Sequence, residues 1–587
     1  MNEKWMLSAA AVLAVVVCFA GIGSHHLWSP DEPTGAAIGR AMLDSGDVIV
    51  PRLNGQPFLE KPPLYWWVQV PVLRRFGLSA AAARFPSALF SALTLLVAYG
   101  LGRRVGGPRT GLLAVAVLGS TVLFVQEAQR VVVDPALAFF VALAHFGFVI
   151  LAEPRSPAER RSAVGLIALA VPLAFLSKGI VALGLAVAPP VLWLLATRRL
   201  RAWRDLLPLA LVGAPVFAVL AGAWAAALVQ AAGWPALREC LLNNTAGRFL
   251  PHENGTVYGH TQPFWYYLVM VPAVVLPWSV AIPAMLRAGL LRRAGRPGGE
   301  ARSLLFATFG IGIFLLSLAA SKRELYLLPL LPAFAACVAW WLAGEREEEG
   351  WDRRWDRRWD HNTATALLLL ASVLPVFLWV TALGARWLPR SRALAPLQAE
   401  LTPAVLAVYG LAGLFGGALV FRRLIRLRSE GAGLPVAWLV LPFLLLFLAV
   451  ETDIEARIDP VKRLSDLTAA LPLHEPARDA VPAYLPPRVS AESVYGIIGF
   501  DLGRRTLPLT TPDELRAYLD RRPCARVVLR AEEIAALPPD LRRRLLVVYD
   551  ERGRKAAPFL IAGGMTCPPA VYDAAVRRTA ALARPFH

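Results

Sequence analysis

The sequence predicts a polytopic α-helical membrane protein with about 13 transmembrane helices, interfacial helices in its first outer loop and a small C-terminal α/β domain. Three observations carry this. The 587 residues are 56% hydrophobic and 18% charged, with a mean hydropathy of +0.51, whereas soluble chains are apolar at about 45 to 50%. Apolar runs close to the roughly 20 residues that cross a bilayer recur along the chain as far as residue 450. Beyond them the composition shifts to Pro-rich stretches and short alternating elements.

The predicted spans are 6–23, 86–102, 110–126, 135–152, 163–178, 180–197, 206–230, 263–286, 303–320, 326–343, 363–385, 403–421 and 432–450. The first run is short and follows Lys4, which also fits a cleaved signal peptide. So many later spans need a first anchor that it is read as a helix. Cations set the orientation. With the N-terminus inside, the inner loops hold 25 Lys and Arg against 15 outside, so the N-terminus is expected in the cytoplasm. Thirteen crossings then send the tail outward. This gives a transmembrane unit at 1–450, with a long first outer loop at 24–85, and an outer domain at 451–587. The same rule accounts for the net charge of +19 and leaves no reason to invoke nucleic acid. The five cysteines show no CxxC spacing. Cys18 and Cys337 fall in apolar runs, while Cys524 and Cys567 are free to pair in the exported tail.

In the first outer loop, residues 34–43 and 64–76 read as amphipathic segments lying at the interface, the second with Tyr65, Trp66 and Trp67 at headgroup level. The tandem WDRR stretch at 345–360 reads as a linker, and the Asn243-Asn244-Thr245 region as a chance sequon. In the tail, 495–500, 525–530, 545–550 and 558–563 read as buried strands. Thr511-Pro512-Asp513-Glu514 caps a helix running to about Arg521.

The threading gathers the unusual polar motifs on the outer face: Asp31-Glu32, Glu60-Lys61, Arg130 and Asp134 in QEAQRVVVDP, Lys178 in LSKG, and SKRELYLLP at 321–329. A boundary charge is costly and calls for a partner or a task. Asp31 and Glu32 suit a base that takes a proton from a hydroxyl; the plain alternative is a pair of solvated helix-cap acids. Lys61, set between Glu60 and two prolines, is a point charge suited to a lipid phosphate. Lys178 is a second such cation, or else a lysine snorkelling to the interface. Arg248 in NNTAGRF, with Lys322, Arg323 and Tyr326, completes a ring of donors for a phosphate or pyrophosphate leaving group. Neither a P-loop nor a strand-bound GxGxxG occurs, which points to a donor already in the membrane. Glu60 with His252 or His260 is a weak candidate metal set, so no cofactor is certain and a divalent metal stays open.

The first outer loop, with DE near the first helix and GQPFLEKPPLYWW, resembles the glycosyltransferase C superfamily. The nearer likeness is to the bacterial aminoarabinose (lipid A) transferases and the protein-mannosyltransferase type, glycosyltransferase family 39. ARFPSAL (83–89), VVDP (132–135), LSKG (176–179), the RF and PFWYYL passage (248–268) and SKRELYLLP match as well. The resemblance implies an inverting enzyme of the bacterial inner membrane. It would move a sugar from an undecaprenyl phosphate, at the periplasmic face, to lipid A, a protein or an envelope glycan. Asp31 would be the catalytic carboxylate, with Glu32 beside it and Asp134 as a second acid. Lys61, Lys178, Arg248 and Tyr326 would contact the donor phosphate, supported by Glu60, Arg130, Lys322 and Arg323. Where the aminoarabinose enzymes carry a metal-associated histidine before the RF pair, this chain has NNTAG. A transporter or flippase of a lipid-linked or anionic solute is the rival class, but such proteins carry matching halves and no internal repeat is seen here.

Overall fold

The computed structural model of the protein describes residues 3–197 (Ser29 apart), 202–243, 261–290, 299–343, three isolated positions between 366 and 444 and, with breaks, 447–564. The runs at 363–385, 403–421 and 432–450 therefore fall largely outside the described residues, as do the WDRR stretch, Thr245, Arg248, His252, His260, Cys524 and Cys567.

Helix α1 (Glu3–Phe19) leads to a polar crossover and then α2 (Asp31–Ser45). A two-residue ribbon follows, β1 (Arg52–Leu53) on β2 (Gln56–Pro57), and then α3 (Leu64–Phe76). Both amphipathic segments of the first loop are thus helices. They are tied together where the Trp66 indole N–H donates to the Gly35 carbonyl at 2.9 Å.

The runs at 86–102 and 110–126 form a hairpin within α4 (Ala80–Gly119), which turns at Gly106 and Gly107, the latter at φ 82°. Its arms nearly touch: a Cβ on Gly102 would stand 2.6 Å from the Thr110 carbonyl, and one on Gly111 2.7 Å from that of Tyr99. Small residues permit such approach between helices in lipid. The second arm stops short of the expected boundary, and a separate short helix, α5 (Val122–Ala128), follows. Next come α6 (Asp134–Ala152), α7 (Pro157–Lys178), α8 (Ile180–Ala196), α9 (Ala202–Phe217) and α10 (Ala223–Arg238).

The run at 263–286 is not one straight span. It is α11 (Tyr266–Val274) and α12 (Ile282–Leu290), bent by 111° at the break between them. The bend is anchored on the corner before α5: the Trp278 indole donates to Ser120 Oγ at 3.1 Å, and the Val122 N–H to the Leu276 carbonyl at 2.9 Å. Helices α13 (Gly299–Leu318) and α14 (Leu331–Ala343) close the described bundle, α14 packing mainly on α4. Among the described residues 6 helices are long and apolar enough to cross a membrane, or up to 7 with the bent pair. The protein is a polytopic membrane protein.

Past α15 (Glu455–Lys462) lies a five-stranded sheet, β3 (Val481–Tyr484), β4 (Thr506–Leu509), β5 (Arg526–Arg530), β6 (Leu545–Asp550) and β7 (Phe559–Gly564), in the order β4-β3-β5-β7-β6. Strand β3 runs parallel to β4 and β5, while β7 is antiparallel to β5 and β6. The strand expected at 495–500 is a correction. Residues Glu492–Ile497 form α16, which continues as a π turn to Leu502. A short apolar run fits a buried helix as well as a strand, and here its glycines settle the choice. Gly496 lies against Pro33 and Thr34, where a Cβ would sit 2.6 Å from backbone atoms, so α16 docks directly on α2. The expected helix is α16's successor α17 (Pro512–Arg521), closed by a full capping box between Thr511 and Glu514.

Candidate active site

Asp31 opens α2, where the helix dipole favours an acid. Its Oδ2 accepts from Arg323 Nη2 at 3.1 Å. Burial pushes the Asp31 carboxyl up, but the charge and hydrogen bond of Arg323, with Arg130 and Lys61 behind it, outweigh this and hold it below the usual carboxylate range. Arg323 is fixed in turn by its backbone, whose carbonyl accepts from the Tyr267 hydroxyl at 3.1 Å.

A second acid and cation meet beside this pair. Asp134, the first residue of α6, accepts from Lys178 Nζ, the last residue of α7, at 2.5 Å. The side chains are only 5% and 10% exposed. The Lys178 ammonium also stands 4.3 Å from the Tyr326 ring centroid, the geometry of a cation–π contact. The charge of Asp134 and the Tyr326 phenol both bear on Arg323, so the two pairs form one cluster. On its other flank, Lys61 pairs with Glu60 at 3.7 Å and lies 5.6 Å from the Phe58 ring centroid. Arg130 pairs with Glu127 at 3.0 Å.

The structure thus brings Asp31, Lys61, Arg130, Asp134, Lys178, Arg323 and Tyr326 into one electrostatic neighbourhood. Two expected members stand apart. Glu32, 2% exposed, is gripped by Arg84 at 2.8 Å through both oxygens and also accepts from the Trp28 N–H at 2.8 Å. Burial raises its pKa, Arg84 more than offsets it, and the carboxylate stays ionised as a fixed strut. Lys322, expected in the donor ring, is 3% exposed and gives its ammonium to the Gln262 and Ala319 carbonyls. Arg248 and His252 lie outside the described residues. Among the described residues no three His, Cys, Asp or Glu side chains form a metal cage, and Glu60 is engaged with Lys61.

Three further groups were not picked out from the sequence. Arg84 sits two residues before the expected start of a span. Glu127 is buried with its Oε2 lacking a hydrogen-bond partner among the described residues, and burial, reinforced by Asp134 and Asp31, raises its pKa against the pull of Arg130. Glu492 of α16 also bears on the cluster, through Glu60, Lys61 and Asp31. Its carboxyl is raised by burial first, then by Glu60, with Lys61 opposing. Arg84 and Glu127 each carry a signal that could have found them: a charge among apolar neighbours at a membrane boundary.

Residues 9–234 match the family model described as dolichyl-phosphate-mannose-protein mannosyltransferase. Over these residues the chain is similar to that family. The region holds Asp31, Lys61, Asp134 and Lys178, while Arg323 and Tyr326 lie beyond it. The chain is 30% identical over 348 residues to an undecaprenyl phosphate-alpha-4-amino-4-deoxy-L-arabinose arabinosyl transferase of Pectobacterium carotovorum, covering 58% of this chain and 60% of that one. A transferase of the same name from Edwardsiella ictaluri is 31% identical over 346 residues, again covering 58% and 60%. The match thus spans 60% of the length of these curated relatives. The fold extends further. The crystal structure of ArnT from Cupriavidus metallidurans bound to undecaprenyl phosphate superposes with a TM-score of 0.73 at 21% identity, covering 96% of this chain and 99% of that one. The apo form gives 0.70 at 20% identity, covering 95% and 97%.

Proposed function

We propose that the protein is an inverting membrane glycosyltransferase that moves a sugar from a polyprenyl phosphate to an acceptor at the outer face of a bacterial inner membrane. In this reading about thirteen helices cross the membrane, the N-terminus is cytoplasmic, and the domain at 451–587 is periplasmic. The observation that carries it is the ionised Asp31 carboxylate, set at a helix start among Arg323, Arg130 and Lys61, beside the Asp134–Lys178–Tyr326 group.

The chemistry follows from that arrangement. The acceptor O–H gives its proton to Asp31 while its oxygen bonds to the anomeric carbon, and the bond from that carbon to the phosphate oxygen breaks. The departing polyprenyl phosphate takes the electron pair. Lys61, Lys178 and Arg323 stabilise its growing charge, which is the largest electrostatic demand of the step. Arg248 joins them as a phosphate contact on the strength of its place in NNTAGRF. Asp134 holds the Lys178 ammonium in position, Tyr326 lies beneath it, and Glu32 acts as a support rather than as a second base. No step is routed through a metal. The undecaprenyl-phosphate-linked 4-amino-4-deoxy-L-arabinose named for the curated relatives is the first donor to test, with lipid A as acceptor.

The test is Asp31→Asn in the purified full chain. Transfer should fall below detection while undecaprenyl phosphate still binds and the protein still elutes as a folded species. An Asn variant that turns over at the native rate removes Asp31 from the mechanism.

A further inference from the structure

We propose that one face of α4 carries a polar stripe, Arg84, Ser87 and Ser91, that sets the spacing between the two acidic segments of the site. Arg84 is the positioning residue for Asp31, and Ser87 and Ser91 position the segment that delivers Asp134. The functional half of this inference rests on the transferase reading above.

The spacing i, i+3, i+7 places the three residues along one side of the helix. They are 1%, 0% and 2% exposed. The Arg84 guanidinium donates from Nε to Glu32 Oε1 and from Nη2 to Glu32 Oε2, each at 2.8 Å. Its Nη1 reaches the Ile22 and His25 carbonyls at 3.2 and 2.9 Å, and its Nη2 also reaches the His26 carbonyl at 2.8 Å and His25 Nδ1 at 2.9 Å. One side chain therefore gathers the whole crossover from the end of α1 to the residue next to Asp31.

The serines do the same for the other acidic segment. Ser87 Oγ donates to the Arg130 carbonyl at 2.5 Å and accepts from the Tyr65 hydroxyl at 2.9 Å, while Ser91 Oγ donates to the Ala128 carbonyl at 3.1 Å. The two segments also meet directly, since Glu32 Oε1 accepts from the Val131 N–H at 3.3 Å. The stripe thus fixes two backbones whose next residues are Asp31 and, three positions on from Val131, Asp134.

Stability alone does not call for this chemistry. A buried ion pair can often be replaced by well-packed apolar residues at little or no cost, and an arginine is buried without penalty only when its donors are met. A stripe that meets all its partners on two catalytic segments is suited to fixing their geometry. Misplacing a reacting group by about 1 Å can cost roughly 100-fold in rate.

The experiment uses the purified full chain in nanodiscs, wild type beside Ser87→Ala, Ser91→Ala and Arg84→Lys. Hydrogen exchange followed by mass spectrometry reads the backbone without reference to activity. Exchange should quicken about 10-fold or more at residues 22–32 in Arg84→Lys and at 128–134 in the serine variants, as local opening becomes easier. Per folded molecule, kcat should fall about 10-fold for each serine variant and about 100-fold for Arg84→Lys, the range seen when supporting contacts of a site are lost. The Kd for undecaprenyl phosphate should stay within about threefold, since the phosphate-binding cations are untouched. Ser87→Ala removes one atom and keeps the test open if Arg84→Lys fails to fold. Unchanged exchange in these segments overturns the stripe, and faster exchange with unchanged kcat per folded molecule overturns its positioning role. A wild type that turns over no polyprenyl-phosphate sugar overturns the transferase reading instead, while the exchange data still judge the stripe.

Discussion

Replacing Lys178 by methionine removes the cation that the cluster holds most firmly, and its cost can be worked from the surroundings. Asp134 and Lys178 are 5% and 10% exposed and 2.5 Å apart, so losing the ammonium leaves a carboxylate buried alone. Breaking one side of a buried pair costs about 3 to 5 kcal/mol, and the lost contact with Tyr326 adds about 0.5 to 2. Lys178→Met should therefore destabilise strongly, whereas the double variant Lys178→Met/Asp134→Asn, which leaves no stranded charge, should be more stable than the single one. Denaturant unfolding in detergent micelles supplies the double-mutant cycle. In the proposed function Lys178 also gives a charge-assisted contact to the donor phosphate, about 1.5 to 3 kcal/mol, so undecaprenyl phosphate should bind about 10- to 100-fold more weakly. Costs that add to within about 0.5 kcal/mol would show that the two side chains are not coupled. Unchanged lipid affinity would remove Lys178 from the phosphate site.

The contact of the first loop with β4 and the response to pH supply three further tests. Asn54 both accepts the Thr506 N–H at 2.6 Å and donates to its carbonyl at 2.9 Å; Asn54→Ala should cost about 1 to 3 kcal/mol and speed limited proteolysis at the boundary of the 451–587 region. Burial, with Glu455 beside it, pushes Glu451 up to about 9. A carboxyl raised on folding is most stabilising below its unfolded value and loses that contribution as pH climbs toward its folded one. Melting temperature should therefore decline between pH 5 and about 9, and Glu451→Gln should flatten that limb. Asp31, Glu32 and Asp459, all lowered in the fold, act with the opposite sign and should set the acid limb, so Glu32→Gln should make the protein less acid-sensitive even though it lowers stability at pH 7.

Most helices described up to residue 343 were legible because an apolar run of sufficient length has few alternatives in lipid, but the bend within 263–286 was not. The first loop was legible for a related reason: aromatic residues beside prolines and charges suit an interface, and 64–76 is a helix with those limits. The tail was harder. Its segment at 495–500 is apolar enough for either element, and only contact with α2 across Gly496 favours the helix. Strand β3 was hidden by Pro482, tolerated because the N–H it lacks faces β5, where pairing begins only at Ala483. Within the site, charge type and topology were enough to group Asp31, Asp134, Lys61, Lys178 and Tyr326. They could not divide the roles of adjacent acids. Asp31 and Glu32 look alike in sequence and differ only because Arg84, 52 positions from Glu32, claims one of them.

In the proposed function this cluster receives the phosphate head of a polyprenyl lipid, and native mass spectrometry of the protein extracted from its own membranes is the decisive measurement. A bound mass matching a polyprenyl phosphate or its glycosylated form is expected for the wild type, with the adduct greatly reduced in Lys178→Met. A wild type that carries no such lipid and fails to take up added undecaprenyl phosphate would contradict it.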